Sequence, residues 1–234
     1  MFNISIIVNN LHSIFIMNGL YIPILYVGLY IITHDIFLST TISLKMYTTN
    51  YFYWFGSQYK YLPEEYGWVK QFTRFTDTGF FASMIYYVYP EFFPIAYNVH
   101  FVITFGYWIG KLLFSMNESE EIHDSVIIKS VEQIVSALNH SLHLVMLSYI
   151  ASNYSVLHEC HHSLFTLQDV KYTFYWAYGW FIYIYIPWRM CTNDCVYTVL
   201  HINSPIQQQL GFIGVIHILI LIGNMTGYVL QTCS

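Results

Sequence analysis

The sequence predicts an all-α, polytopic membrane protein with about six transmembrane helices, and three observations lead to this fold class. Of 234 residues, 56% are hydrophobic and 9% are charged, whereas a soluble domain has roughly 25% charged residues. Tyrosine and phenylalanine are abundant, with 23 and 18 residues, and such rings favour the membrane–water interfaces. Apolar segments of about 20 residues, the length that spans a bilayer, recur along the chain. We therefore expect a single integral-membrane domain over residues 1–234.

Six apolar segments are predicted to be spanning helices. The first covers about residues 15–38 and includes Pro23, because membrane helices tolerate proline. The next five are expected over about residues 72–89, 93–114, 135–152, 172–188 and 210–230. The aromatic residues 51–55 form a stretch too short to span, and we expect it at the interface together with a helix over residues 125–135.

Composition also bounds the partners and the compartment. The net charge of −5 is spread along the chain without a basic run, so the membrane bilayer is an expected partner and nucleic acid is not. Cys160, Cys191, Cys195 and Cys233 show no CxxC or zinc-type spacing and are expected to be small apolar residues, although Cys191 and Cys195 can meet on one helical face. We expect an integral, multi-pass protein of the endomembrane system, such as the endoplasmic reticulum, or of the plasma membrane.

Two histidines interrupt the fourth predicted helix, in the stretch Leu-Asn-His-Ser-Leu-His at residues 138–143. His140 and His143 are three residues apart and share one helical face, and Asn139 lies four residues before His143. An ionisable group at membrane depth is a functional-site hypothesis by default. The alternative is a pair of interior histidines that hydrogen-bond across the helix bundle.

The second predicted helix opens with a polar cluster. Thr73 and Asp77 are four residues apart, and Arg74 adds a cation beside them. Because a buried charge requires a partner, Arg74 and Asp77 are expected in a polar core rather than on the lipid-facing surface. The alternative for Thr73 is a threonine that only bonds back to a carbonyl of the preceding turn, as threonines in membrane helices usually do.

Four short stretches occur in a characteristic order. They are Lys-Gln-Phe-Thr at 70–73, Phe-Pro at 93–94, Leu-Asn-His-Ser-Leu-His at 138–143 and Thr-Asn-Asp-Cys-Val-Tyr at 192–197. From residue 70 to the C-terminus, this order resembles the family of the androgen-induced gene 1 protein and ADTRP, and the Asn-His-x-x-His stretch is its most specific part. Members of this family are small multi-pass membrane proteins that hydrolyse fatty acid esters of hydroxy fatty acids.

The resemblance implies a threonine-dependent carboxylic-ester hydrolase whose substrate is a branched fatty-acid ester in the bilayer. The family's nucleophile falls on Thr73 and its catalytic histidine falls on His143. An alcohol is a weak nucleophile near neutral pH and needs an adjacent base, and a histidine can take its proton and return it to the leaving alkoxide. The expected intermediate is an acyl-threonine ester, formed without a metal, a cofactor or a required protein partner.

The chain departs from the family pattern at four positions, which bear on substrate preference. Thr76 stands where the family usually has asparagine, three residues after the nucleophile. Asn193, Cys195 and Thr198 stand where the family has glycine, tryptophan and proline. The motif does not identify a third group that orients the catalytic histidine, and the candidates are Asp77, Asn139 and His140.

Two alternative functions remain open. His158, His161 and His162 form an HxxHH box of the type that membrane di-iron desaturases and hydroxylases use, and imidazole is a good iron ligand. Such enzymes need a further HxxHH box near the C-terminus, where this chain has only the single histidines His201 and His217, so a polar interfacial loop is the simpler interpretation. The second alternative is a non-enzymatic transporter or scaffold, although the two halves show no internal repeat of the kind that transporters often contain.

Overall fold

The structure, a computed structural model, describes residues 21–54, 73–114, 141–147, 165–193 and 195–230. Every regular segment of these residues is helical and none is a β-strand, which confirms the all-α class. In chain order the α-helices are α1 (Tyr21–Thr33), α2 (Ile36–Trp54), α3 (Phe75–Val88), α4 (Phe93–Phe114), α5 (141–147), α6 (Leu167–Trp180), α7 (Ile186–Thr192) and α8 (Ile206–Leu230). The shorter turns are 3₁₀ at Pro90–Phe92, π at Phe181–Tyr185 and 3₁₀ at Thr198–Leu200.

The chain divides into two compact units. The described part of the first unit consists of α1 and α2, whereas the second unit contains α3 to α8. The first unit comprises Met1–Gln71 and Glu121–Asn139, and the second comprises Phe72–Glu120 and His140–Ser234. A single domain over the whole chain stays a prediction.

The first predicted helix is divided in two. Between α1 and α2, His34 adopts a left-handed conformation with φ 53°, and a left-handed residue ends a right-handed helix. The Asp35 carboxylate then accepts a hydrogen bond from the Leu38 N–H at 2.9 Å, which is the role of an N-cap. The expectation of one continuous helix over residues 15–38 is therefore wrong at this break.

The second and third predicted segments are helical, as expected. α3 begins three residues later than expected, and α4 has the expected bounds. α4 is central to the second unit, because it packs against α3, α6 and α8. Its Asn98 donates hydrogen bonds to Thr173 Oγ1 of α6 at 3.2 Å and to Asn224 Oδ1 of α8 at 3.1 Å, and polar contacts of this kind hold membrane helices together.

The fifth predicted helix is longer than expected. A capping box starts α6: the Thr166 hydroxyl accepts a hydrogen bond from the Gln168 N–H, and the Asp169 carboxylate accepts one from the Thr166 N–H. The helix then continues through the π-turn into α7, which contains Pro187. Because proline has no N–H and its ring crowds the carbonyl four residues earlier, we attribute the wider π-turn directly before it to this residue.

The end of α7 is a left-handed helix terminus at Asn193. Asn193 is left-handed, with φ 57°, and its N–H donates to the Arg189 carbonyl at 2.9 Å. Glycine and asparagine are the residues that most readily adopt this conformation at a helix C-terminus, so the backbone accounts for an asparagine at this position. Because α7 ends here, Cys191 and Cys195 do not share a helical face; the first is exposed and the second is buried.

Two helical segments are long and apolar enough to cross a membrane, by length and composition. They are Pro90–Phe114 and Ile206–Val229. The most apolar part of the first is 78% buried inside the protein, and that of the second is 33% buried. The low burial of the second segment leaves isoleucine, leucine and methionine side chains on its surface, and an exposed apolar surface of this kind suits contact with lipid. The other four predicted spans stay a prediction, and most of the fourth lies outside the described residues.

Candidate functional site

The start of α3 is buried in the second unit and contacts distant parts of the chain. Thr73, two residues before α3, is 4% exposed, and its carbonyl accepts a hydrogen bond from Trp180 Nε1 at 2.9 Å. The Thr76 N–H donates to the Tyr197 hydroxyl at 3.4 Å, although 121 residues separate the two. The structure thus brings the start of α3 next to Tyr197, which belongs to the stretch at residues 192–197 singled out in the sequence.

The charged residues of this segment are also interior. Arg74 is 2% exposed and Asp77 is 9% exposed, which confirms that they do not lie on the lipid-facing surface. Arg74 is the N-cap residue of α3, and its carbonyl accepts a hydrogen bond from the Asp77 N–H at 3.1 Å. A role for Asp77 as the third catalytic group stays a prediction.

His143, on α5, lies fully buried against α3 and α4. Its exposed fraction is 0%, and its ring packs on Phe80 of α3 with 4.7 Å between the ring centroids. Its Nδ1 lies 3.3 Å from Nδ1 of His100, a residue of α4 that is also fully buried. His143 therefore does contact another interior histidine across the helix bundle, as the alternative interpretation expects. Its partner is His100.

A chain of hydrogen bonds extends from His143 into α3. His100 Nε2 lies 2.7 Å from Ser83 Oγ, and the Ser83 hydroxyl donates to the Gly79 carbonyl at 3.2 Å. A carbonyl can only accept, so with the Ser83 proton on this bond His100 donates from Nε2 and accepts at Nδ1. His143 then donates from Nδ1, and its Nε2 is the unprotonated nitrogen. With this proton placement, His143 Nε2 is the nitrogen that can act as a general base, whereas donation from Ser83 to His100 Nε2 places a proton on His143 Nε2 instead.

The face of α3 that packs on His143 also carries hydroxyl groups. Thr76, Phe80 and Ser83 are spaced four and three residues apart, so they follow one another along one face. Phe80 lies five residues, or about 8 Å at 1.5 Å per residue, beyond the start of α3 at Phe75. The base candidate therefore packs one to two turns into α3, and Thr73 precedes the first turn of the same helix.

Sequence reasoning missed both His100 and Ser83. The rule that singles out His143, an ionisable group inside a predicted span, applies equally to His100 at the centre of the third predicted helix. Ser83 carries no such signal, because serine is common where membrane helices pack. Their partnership requires α3 and α4 to pack side by side, which the sequence pattern alone does not specify.

Several predicted residues lie outside the described residues, namely Asn139, His140, His158, His161 and His162. Among the residues that the structure describes, no group of three or more His, Cys, Asp or Glu side chains is arranged to hold a metal ion. The di-iron alternative is therefore untested, and so are the roles of Asn139 and His140.

An apolar cavity of about 160 Å³ adjoins the start of α3 within the second unit. α3, α4, α6 and α8 contribute to its lining, which consists mainly of aromatic and branched aliphatic side chains. Trp180, whose Nε1 binds the Thr73 carbonyl, and Thr76 both line it. None of the described lining residues is charged, so the cavity is suited to an uncharged, apolar group.

Comparison with protein-family models, with curated proteins and with solved structures finds no match. The resemblance drawn from the four sequence stretches therefore stays a prediction. The function is inferred from the residues and from the geometry of the second unit.

Proposed function

We propose that this protein is a multi-pass membrane hydrolase that cleaves fatty acid esters of hydroxy fatty acids, with Thr73 as the nucleophile and His143 as the general base. The observation that carries the proposal is the hydrogen-bond chain from His143 through His100 and Ser83 to the Gly79 carbonyl. One of its two directions leaves the imidazole Nε2 without a proton. Base catalysis on an alcohol nucleophile needs such a nitrogen.

The proposed reaction has two steps. His143 Nε2 takes the proton of the Thr73 hydroxyl while Oγ1 attacks the ester carbonyl carbon. The carbon–oxygen bond to the leaving alcohol then breaks, and the alkoxide takes the proton back from His143, which leaves an acyl-threonine ester. In the second step a water molecule attacks this ester with His143 again as the base, the fatty acid departs, and the Thr73 oxygen recovers its proton.

Two further features support an ester of long alkyl chains as the substrate. The composition and the two apolar helices favour a site that lipids reach from the bilayer. The uncharged cavity beside the start of α3 offers room for apolar carbon, and one residue, Trp180, both lines that cavity and binds the Thr73 carbonyl. The proposal includes a multi-pass topology, because the predicted spans after the break at His34 have the length and composition that a bilayer requires.

The test is labelling of the solubilised full-length protein with a fluorophosphonate probe, alongside turnover of a branched fatty-acid ester. Thr73→Ala should abolish both, and His143→Ala should lower turnover by about 10²–10⁴-fold, the usual contribution of a general base. Thr104→Val is the matched control, because Thr104 is also a buried threonine, at 3% exposed, but belongs to α4 and is not a predicted catalytic residue. Wild-type turnover in Thr73→Ala or in His143→Ala would exclude the assignment.

The same preparation distinguishes the proposal from the di-iron alternative. A wild-type protein that is not labelled and does not cleave the ester contradicts the hydrolase. If that protein also contains iron that is lost when His158, His161 and His162 are replaced by alanine, the HxxHH box is the functional centre. Labelling and turnover without bound iron support the hydrolase.

A further inference from the structure

The surface of the apolar cavity in the second unit is almost entirely apolar, because polar groups of its lining residues bond within the protein. The Trp180 indole N–H donates to a backbone carbonyl at 2.9 Å, and the Tyr197 hydroxyl accepts from a backbone N–H at 3.4 Å. The Tyr178 hydroxyl and His217 Nε2 lie 2.6 Å apart and bond to each other. The cavity therefore attracts a ligand through burial of apolar surface rather than through hydrogen bonds.

The cavity is partly open and reaches the surface of the second unit between α6 and α8. Tyr178 of α6 and Ile213 of α8 both line it, and both are exposed, at 46% and 38%. At α4, in contrast, the lining residues Val102 and Ile103 are buried, so this end is closed. Because α8 is long and apolar enough to span a membrane and is largely uncovered by protein, the opening lies where lipid chains reach it.

The size of the cavity limits how much of a lipid it accepts. Its volume of about 160 Å³ resembles that of an apolar cavity of about 150 Å³ that stays dry and binds benzene, so it suits about six carbon atoms. A lipid chain is longer than this, so only part of one chain fits. The end of the chain is the part that enters a closed cavity, because no described lining residue is an acid, a lysine or an arginine and a charged head group would be buried without a counter-charge.

We propose that this cavity is a binding site for the methyl end of one alkyl chain of a membrane lipid, which enters between α6 and α8 and leaves its polar head outside. The wall includes Phe181, where the π-turn begins, and π-turns inside helices occur frequently at functional sites. The site selects lipids by the chain rather than by the head group. This inference concerns binding and does not require that Thr73 or His143 cleave the lipid.

The experiment uses photoreactive lipids with the full-length protein in lipid nanodiscs. The chains are ether-linked, so that a hydrolase cannot cleave them. One probe carries a diazirine at the methyl end of the chain, and its isomer carries the diazirine next to the head group. We expect the end-labelled probe to label peptides from the cavity wall, such as residues 174–181 and 212–220, and the isomer to lose most of this labelling.

Two substitutions on the lining change the room for the chain in opposite directions. Ala177→Leu fills the cavity from α6, and we expect it to weaken half-saturation by the end-labelled probe by about 10–20-fold, the effect of excluding about two methylene groups. Ile216→Ala enlarges the cavity from α8 and should shift the preferred probe to a longer chain. Gly179→Leu is the matched control and should leave binding unchanged, because Gly179 belongs to α6 but does not line the cavity, and nothing lies within 4 Å of an added Cβ there.

Opposite changes in Ala177→Leu and Ile216→Ala would support the site, since a general loss of folding would weaken binding in both. The inference is wrong if the end-labelled probe does not label the wall, if its isomer labels the wall equally, or if Gly179→Leu shows the same loss as Ala177→Leu.

Two further comparisons identify the lipid and separate this inference from the proposed hydrolase. Each probe is made as a single-chain glycerol ether and as a two-chain phosphatidylcholine, and the stronger label on the wall shows which kind of lipid supplies the chain. Labelling is also measured in Thr73→Ala. Retained labelling with lost turnover supports both proposals, whereas retained labelling with retained turnover supports the binding site and contradicts the hydrolase.

Discussion

Replacement of His100 tests whether the hydrogen-bond chain sets the chemistry of His143. His100→Phe keeps an aromatic ring against Phe80, whose ring centroid lies 5.5 Å away, and removes both ring nitrogens. Ser83 keeps its bond to the Gly79 carbonyl, whereas the contacts of His100 with Ser83 Oγ at 2.7 Å and with His143 Nδ1 at 3.3 Å are both lost. Removing one partner of a buried hydrogen bond lowers stability by about 1–3 kcal/mol.

The expected effect on turnover is larger than the effect on stability. Without His100, His143 loses the contact that favours its proton on Nδ1, and its ring loses a fixed orientation. A misplacement of about 1 Å in a catalytic group can reduce the rate by about 10²-fold, and we expect a reduction of kcat of this size in His100→Phe. The assay is release of hydroxy fatty acid from a branched ester in nanodiscs, with the Tm measured on the same sample.

Two amide variants separate the two ends of the His100 ring. The amide of asparagine lies near the position of Nδ1, so His100→Asn can preserve the contact with His143, whereas the longer glutamine reaches the position of Nε2 and can preserve the contact with Ser83. We expect His100→Asn to retain more turnover than His100→Gln at similar Tm. If His100→Phe keeps wild-type kcat, or if the order of the amide variants is reversed, the chain does not act through His143.

Two further predictions concern the fold of the second unit, and both are measured as the free energy of unfolding in detergent. In Gly227→Ala the new methyl group meets the Phe165 ring, and such overpacking should destabilise the protein by about 1–3 kcal/mol. Gly214→Ala on the same helix should not destabilise it in this way, because nothing lies within 4 Å of the added methyl group. Equal effects of the two substitutions would contradict the close approach of Gly227 to Phe165. Asn193→Val should lower stability by about 1–2 kcal/mol, because valine is strained at the positive φ of this position. Asn193→Gly should change the stability little. A valine variant as stable as wild type would contradict the left-handed end of α7.

The sequence pattern predicted helices where apolar runs are long and uninterrupted. α3 and α4 were found within three residues of their ends because prolines at 90 and 94 mark the connection. The break at His34 was missed, since a left-handed histidine has no compositional signal and the apolar run continues across it. The start of α6 lies five residues before its predicted position, because the apolar run begins only after the first turn, which the capping box of Thr166 and Asp169 starts.

The site was only partly predictable for a different reason. Ionisable residues at membrane depth can be found from sequence alone, and this led to His143. Its partners depend on which faces of α3 and α4 meet, which follows from packing between helices rather than from the period of either one. The cavity is even harder to predict from the sequence, because its lining combines residues as distant along the chain as Thr76 and His217.

The two threonines near the start of α3 have separable roles because the structure gives them different surroundings. Thr76 lines the cavity, and its hydroxyl has no hydrogen-bond partner among the described residues. Thr73 does not line the cavity, but its carbonyl accepts a hydrogen bond from the indole of Trp180, which does. A nucleophile acts on the transition state and its loss lowers kcat, whereas a group that binds substrate and transition state equally changes KM. Loss of kcat in Thr73→Ala together with wild-type kcat in Thr76→Val would therefore support Thr73 as the proposed nucleophile, and the reverse result would assign the chemistry to Thr76.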